Sequence, residues 1–127
     1  RANMTIKHMK NYDGLYIHIK GPDVPGHDGD ADKKKAVIEA IDQYYLTPLL
    51  NTIDLDKTIV AITADHSTPC RLKSHSADPV PLLISGGNIQ PDTTSSFSEK
   101  TCLKGKIGKI SGTQLMPLLI KYANANK

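Results

Sequence analysis

Five side chains of metal-binding type occur in three short stretches of this 127-residue sequence. They are the carboxylates of Asp23 and Asp65 and the imidazoles of His27, His66 and His75. Both types of side chain bind divalent ions such as Zn²⁺, Mn²⁺ or Mg²⁺. Two such ions can hold the attacking and leaving oxygens of a phosphoryl group. The residue types therefore predict a two-metal site that performs phosphoryl or sulfuryl transfer.

The spacing of Asp23 and His27 would place both side chains on one face of a helix. Pro22, Pro25 and Gly26 instead favour a stiff loop, which would hold both residues on one metal ion. A turn in which Asp23 caps its own backbone and His27 is exposed explains this stretch equally well.

The other three candidate ligands are weak evidence when each is taken alone. Asp65 and His66 are neighbours, and adjacent side chains on a strand point to opposite faces unless the backbone turns. They could be a helix cap or a surface charge pair, and a single loop histidine such as His75 is usually exposed. The occurrence of all five residues in one chain favours a metal site.

Hydrophobic spacing predicts three strands that could position these residues. Residues 15–19 alternate between apolar and polar, residues 58–63 are almost continuously apolar, and residues 81–85 form a shorter apolar run. The second run should be a central strand, because an apolar run of this kind is typical of a strand covered on both faces.

Two helices are predicted around these strands. Helical spacing behind an acidic start predicts a helix over residues 30–50, disturbed near Pro48. A second helix is predicted over residues 111–122, with Pro117 acceptable only in its first turn. The polar residues 88–98 carry turn signals without periodicity and predict a loop.

The order of these elements predicts an α/β fold with a layered, largely parallel sheet flanked by helices. Ligands of such sheets lie beyond the carboxyl ends of the strands. Asp23 and Asp65 each follow a predicted strand, so the candidate ligands fall where a site is expected.

Composition argues against several classes of protein. The net charge is +3, but aromatic residues make up only 5% of the chain and Trp is absent, so no stacking platform accompanies the lysines and nucleic-acid binding is not predicted. The apolar runs are too short to span a bilayer. Two cysteines do not make a disulfide framework, which favours a cytoplasmic location. The oligomeric state is not predicted.

Three stretches of the sequence resemble the motifs of one enzyme family: Lys20-Gly-Pro-Asp-Val-Pro-Gly-His-Asp-Gly29, Thr63-Ala-Asp-His-Ser-Thr-Pro-Cys70 and His75-Ser-Ala-Asp-Pro-Val-Pro81. They are similar to stretches of the archaeal-type 2,3-bisphosphoglycerate-independent phosphoglycerate mutases, which belong to the alkaline phosphatase superfamily. The likeness covers nearly the whole chain. It implies an alkaline-phosphatase-like core, of which residues 1–127 form the C-terminal part.

The resemblance also implies how the ligands divide between two ions, with Asp23, His27 and His75 at site one and Asp65 and His66 at site two. In the family, the second ion also takes a carboxylate from an early strand and a serine nucleophile that becomes phosphorylated. No stretch of this chain matches that N-terminal segment or the inserted substrate domain. No catalytic residue is therefore assigned in this chain, and the nucleophilic serine is expected upstream.

The implied activity is a metal-dependent phosphoglycerate mutase of glycolysis and gluconeogenesis. It would interconvert 3-phosphoglycerate and 2-phosphoglycerate, a small phosphorylated three-carbon acid, through a phosphoserine and without 2,3-bisphosphoglycerate. Its cofactors would be two divalent ions, Mn²⁺, Mg²⁺ or Zn²⁺. Lys20 and Lys73 flank the ligand stretches and are candidates for binding the substrate phosphate.

Two alternatives remain open at this point. One is a phosphatase, sulfatase or phosphodiesterase of the same superfamily, because relatives on one fold differ mainly in nucleophile and substrate domain. The other is a non-catalytic remnant that only binds metal. Without the serine, the chain alone is expected to be inactive.

Overall fold

The structure is a computed structural model that describes residues 2–125. These residues form two compact units. The first contains residues 2–53 and Thr68–Ser76, and the second contains Asp54–Ser67 and residues 77–125. The chain therefore passes between the units three times.

The first unit is helical. Its elements are α1 (Ala2–Met9), α2 (Asp23–Asp28), α3 (Ala31–Ile41), a π-helical turn (Asp42–Leu46) and α4 (Thr47–Leu50).

The first helix, α1, was not predicted, because it is short and begins without a recognisable capping signal. Ala2, Tyr45 and Leu49 form the small buried core of the unit, against which Ile6 and Met9 also pack. Three of these residues lie on one face of α1 at helical spacing. Packing against the core therefore stabilises a helix of only eight residues.

The predicted helix over residues 30–50 is confirmed, and so is its disturbance near Pro48. The carboxylate of Asp30 accepts a hydrogen bond of 2.9 Å from the backbone N–H of Lys33 and so caps α3. In the π-helical turn, the N–H of Thr47 donates to the carbonyl of Asp42, five residues back. Pro48 follows directly and has no N–H to donate, so the irregular turn accommodates its missing hydrogen bond.

The stiff loop predicted for Asp23 and His27 is wrong, because residues 23–28 form the helix α2. Pro25 lies in the first turn, where backbone N–H groups have no partner within the helix, so it costs no hydrogen bond. Gly29 ends the helix with φ at +77°, the left-handed conformation that favours glycine.

The strand predicted over residues 15–19 is also wrong. Residues 15–19 form neither strand nor helix, and Tyr16 and Ile17 are exposed. A strand requires a hydrogen-bonded neighbour, and within residues 2–125 the only sheet contains two other strands. Residues 15–19 therefore have no strand to pair with within residues 2–125.

The second unit contains the sheet, which consists of β1 (Val60–Ile62) and β2 (Leu83–Ser85), and the helices α5 (Glu99–Cys102) and α6 (Gly112–Ala125). Both predicted strands are confirmed, but each is shorter than its apolar run. They pair antiparallel, with Ala61 opposite Ile84. The layered, largely parallel sheet expected from the sequence is not found in residues 2–125, because only two strands are present to pair.

Two further expectations for the second unit need correction. Ala61 is exposed, so β1 is not covered on both faces. Pro117 lies inside α6 and beyond its first turn, although the first turn was the only place expected to tolerate it. Helix α6 begins directly after Ser111. The N–H of Ser111 donates to the side chain of Gln114 at 2.8 Å, which forms half of a capping box.

The predicted loop over residues 88–98 is confirmed. Within residues 2–125, no helix has the length and apolar character needed to cross a membrane.

Candidate metal centre

Three of the predicted ligands meet in the first unit. Helix α2 places Asp23 and His27 one turn apart on the same face, and His75 comes from the segment Thr68–Ser76. Asp23 Oδ1 lies 3.5 Å from Nε2 of His27 and 3.5 Å from Nε2 of His75. The two Nε2 atoms lie 3.1 Å apart. One carboxylate oxygen and two imidazole nitrogens therefore form a compact triangle.

The dimensions of this triangle fit a divalent cation. Metal–ligand bonds of about 2.0–2.2 Å place the ligand atoms of a tetrahedral site roughly 3.3–3.6 Å apart. The edges of 3.1 and 3.5 Å agree with that range within a few tenths of an ångström. Three protein ligands leave a coordination position open, as is typical of catalytic rather than structural sites. The triangle thus supports the use of a divalent metal.

The backbone of Lys73 selects the tautomer of the neutral His27 ring. Nδ1 of His27 lies 3.2 Å from the carbonyl oxygen of Lys73. A carbonyl only accepts, so Nδ1 must carry the hydrogen and donate it. In the neutral imidazole, Nε2 then has a lone pair, which points toward His75. Hydrogen bonds of this kind orient the histidine ligands of metal sites.

The triangle is open to solvent on one side. The side chains of His27 and His75 are 44% and 53% exposed, whereas that of Asp23 is 25% exposed. Within the described residues, the two imidazoles are therefore more accessible than the carboxylate.

Thr68 is a site residue that the sequence did not reveal. Its hydroxyl donates a hydrogen bond of 2.7 Å to Oδ1 of Asp23, the oxygen at the corner of the triangle. Thr68 is only 4% exposed. Its sole signal in the sequence is membership of the stretch that also contains Asp65 and His66, and nothing local links it to Asp23.

Asp65 and His66 follow β1 in the second unit. The backbone N–H of His66 donates to Oδ1 of Asp65 at 3.0 Å, and the His66 Nε2 lies 3.5 Å from Asp65 Oδ2. Within residues 2–125, these two side chains belong to no group of three potential ligands. Their assignment to a second metal ion stays a prediction.

Lys20 and Lys73, the candidate phosphate-binding residues, are both exposed. Lys73 has a φ of +53°, unusual for a residue other than glycine. Its side chain lies over Gly29, where an added Cβ would come within 2.5 Å of Lys73 Cε. Its main chain, through the carbonyl group, contributes to the triangle more directly than its ammonium group does.

The fold and the triangle are compatible with a metal-binding protein, and the family comparison agrees with this class. Residues 1–122 match the model of the Metalloenzyme superfamily, and the chain belongs to that superfamily.

Individual relatives within that superfamily carry the name of one kind of enzyme. The chain is 42% identical over 127 residues to the 2,3-bisphosphoglycerate-independent phosphoglycerate mutase of Thermococcus kodakarensis, and 41% identical over 127 residues to mutase 1 of that name from Archaeoglobus fulgidus. Each alignment covers the whole of this chain and 31% of the relative. The predicted family resemblance is confirmed, and the chain spans about a third of the length of these relatives.

A solved structure shows the same likeness in three dimensions. The PH0037 protein from Pyrococcus horikoshii superposes with a TM-score of 0.94 at 38% identity, covering 99% of this chain and 38% of that one. Together with the superfamily match, this neighbour supports the predicted alkaline-phosphatase-like fold.

Proposed function

We propose that this chain is the C-terminal, metal-binding part of a phosphoglycerate mutase that interconverts 3-phosphoglycerate and 2-phosphoglycerate. The observation that carries the proposal is the triangle formed by Asp23, His27 and His75, in a chain that aligns over its full length with curated mutases. The fit of the triangle to a divalent cation matches the chemistry that phosphoryl transfer requires.

In this proposal the residues of this chain bind the cation and form no covalent bond with the substrate. A divalent cation at site one would neutralise the negative charge of the phosphoryl oxygens. Asp23 offsets part of the positive charge of the ion, and His27 and His75 present neutral nitrogens from the solvent-accessible side. The two imidazoles favour a transition-metal ion such as Zn²⁺ or Mn²⁺ over Mg²⁺, which prefers oxygen ligands.

Asp65 and His66 would contribute half of site two. The serine nucleophile and a further carboxylate are expected from the upstream part of the protein, which would also supply the strands of a layered, largely parallel sheet. The phosphoryl group would pass from one substrate oxygen to the serine oxygen and then to the other hydroxyl of the retained glycerate. No oxidant is consumed, and no water is consumed. The cytoplasmic location stays a prediction from the sequence.

An assay of the full-length protein tests the proposal. With Mn²⁺ and 3-phosphoglycerate, and without 2,3-bisphosphoglycerate, we expect ³¹P NMR to show formation of 2-phosphoglycerate. His75→Ala should abolish this conversion, whereas His18→Ala, which changes an exposed histidine outside the triangle, should not. The 127-residue chain should give no turnover.

The same assay separates the alternatives. Release of inorganic phosphate from 3-phosphoglycerate or from p-nitrophenyl phosphate, without isomerisation, would identify a phosphatase of the same superfamily. Metal binding without any turnover by the full-length protein would identify a non-catalytic remnant. Either result would overturn the mutase assignment.

A further inference from the structure

The environment of Thr68 differs from that of the other polar residues near the triangle. His27 and His75 are exposed and Asp23 is partly exposed, but Thr68 is buried. Its hydroxyl donates to Asp23 Oδ1 at 2.7 Å. The same oxygen lies 3.5 Å from each histidine Nε2. Since a carboxylate oxygen has two lone pairs, Oδ1 can accept from Thr68 and face a cation at the same time.

Thr68 is itself held in place from two directions. Nζ of Lys34, on α3, donates a hydrogen bond of 2.7 Å to the Thr68 carbonyl oxygen. On the other side, Gly26 of α2 lies so close that an added Cβ would come within 2.7 Å of that oxygen and 2.9 Å of Thr68 Cγ2. The hydroxyl therefore projects toward Asp23 from a main chain that is fixed between two helices.

We propose that Thr68 is a positioning residue for the cation site, where its hydroxyl holds the Asp23 carboxylate with Oδ1 directed at the two histidine nitrogens. The inference rests on the proposed metal site. Each hydrogen bond to a carboxylate reduces the number of orientations that it samples, and fixing one orientation before the ion binds lowers the entropic cost of binding. Loss of such an outer partner typically weakens metal binding about 10- to 100-fold.

Two substitutions at one position separate the hydroxyl from the packing. Thr68→Val keeps the shape of the side chain and removes the donor, whereas Thr68→Ser removes a methyl group and keeps the donor. In isothermal titrations of the full-length protein with Mn²⁺ and Zn²⁺, we expect Thr68→Val to raise the Kd of the ion at the triangle about 10- to 100-fold. The Kd of Thr68→Ser should stay within roughly threefold of the unsubstituted protein.

A double-mutant cycle distinguishes positioning from a general structural role. If Thr68 acts through Asp23, then Thr68→Val should weaken binding far less in an Asp23→Ala background than in the unsubstituted protein. Equal losses in both backgrounds would overturn the proposal. If Thr68→Val does not fold, Lys34→Met provides the second variant, because it removes the ammonium group that fixes the Thr68 carbonyl. A Kd unchanged by Lys34→Met would then count against the proposal.

The outcomes also separate this inference from the proposed function. If the unsubstituted protein binds Mn²⁺ or Zn²⁺ and Thr68→Val binds equally well, the positioning role is wrong and the metal site stands. If the full-length protein binds neither ion, both are wrong. If binding follows the expected pattern and the full-length protein does not isomerise 3-phosphoglycerate, only the mutase assignment is wrong.

Discussion

Nδ1 of His27 donates a hydrogen bond to the carbonyl oxygen of Lys73, two positions before His75, at a distance of 3.2 Å. The main chain that leads to one imidazole thus selects the tautomer of the other. Because the acceptor is a backbone atom, a change of the side chain at position 73 does not remove it.

Substitution of Lys73 separates its main chain from its side chain. Lys73→Ala keeps the carbonyl that His27 uses, so the affinity of the 127-residue chain for Mn²⁺ should stay within about twofold. In the full-length protein, the same change should raise KM for 3-phosphoglycerate if the ammonium group binds phosphate. Isothermal titration and steady-state kinetics measure the two effects. A tenfold loss of Mn²⁺ affinity would show that the side chain itself supports the triangle.

The 127-residue chain should bind at most one divalent ion. Within residues 2–125, Asp23, His27 and His75 form the only group of three potential ligands, whereas Asp65 and His66 offer two. Replacing Asp65 by Asn and His66 by Ala should therefore leave the stoichiometry unchanged. Elemental analysis after gel filtration checks this expectation. A ratio of two ions, reduced to one by the double substitution, would contradict it.

Gly86 should be far less tolerant of substitution than Gly112. Gly86 has a φ of +107°, and an added Cβ would lie 2.0 Å from the Thr58 carbonyl oxygen, whereas nothing lies within 4 Å of such an atom at Gly112. Gly86→Ala should lower the free energy of unfolding by at least about 2 kcal/mol. Gly112→Ala should change it by less than about 1 kcal/mol. Urea denaturation followed by circular dichroism compares the two variants. Equal midpoints would show that the backbone at Gly86 can relax around the added methyl group.

Asp92 should stabilise the second unit in a manner that depends on pH. Hydrogen bonds from the hydroxyl and the N–H of Thr94, and from the N–H of Lys106, lower the pKa of Asp92 from 3.8 to about 2. Since the unfolded chain takes up the proton more readily, the stabilisation is present above about pH 4 and is lost as the pH falls toward 2.

Titration of the Asp92 carboxyl carbon by NMR measures the direction of this pKa shift directly. Thr94→Val removes the hydroxyl that contributes most to lowering the pKa, so the midpoint should move up toward 3.8. The melting temperatures of the unsubstituted chain and of Asp92→Asn should also converge between about pH 4 and pH 2. An unchanged midpoint in Thr94→Val would mean that the hydroxyl does not stabilise the carboxylate.

The residue types and the family resemblance indicated Asp23, His27 and His75 as one group of ligands. The loop predicted for the backbone of Asp23 and His27 was wrong. Prolines disfavour helices in general, so Pro22 and Pro25 predicted a loop. Their position decides the outcome, because the first turn of a helix does not need their missing N–H groups. The i,i+4 spacing of Asp23 and His27 was therefore the better guide to local structure.

Other features could not be predicted from the sequence, because they depend on contacts between residues that are distant along the chain. Thr68 is separated from Asp23 by 45 positions, and neither residue carries a local signal of the other. The alternating residues 15–19 have the composition of a strand, but composition does not supply the neighbour that a strand requires. The antiparallel pairing of β1 with β2 was likewise not encoded in either apolar run alone.

The separation of His27 from His75 along the chain has a consequence for folding. These residues are 48 positions apart, and their Nε2 atoms meet at 3.1 Å. An ion bound to both would act as a reversible cross-link that closes a long loop, and closing a covalent loop of this length lowers the entropy of the unfolded chain by the equivalent of at most about 4 kcal/mol. A chelator would then lower the free energy of unfolding of the helical unit while leaving the apolar contacts of its folded state in place.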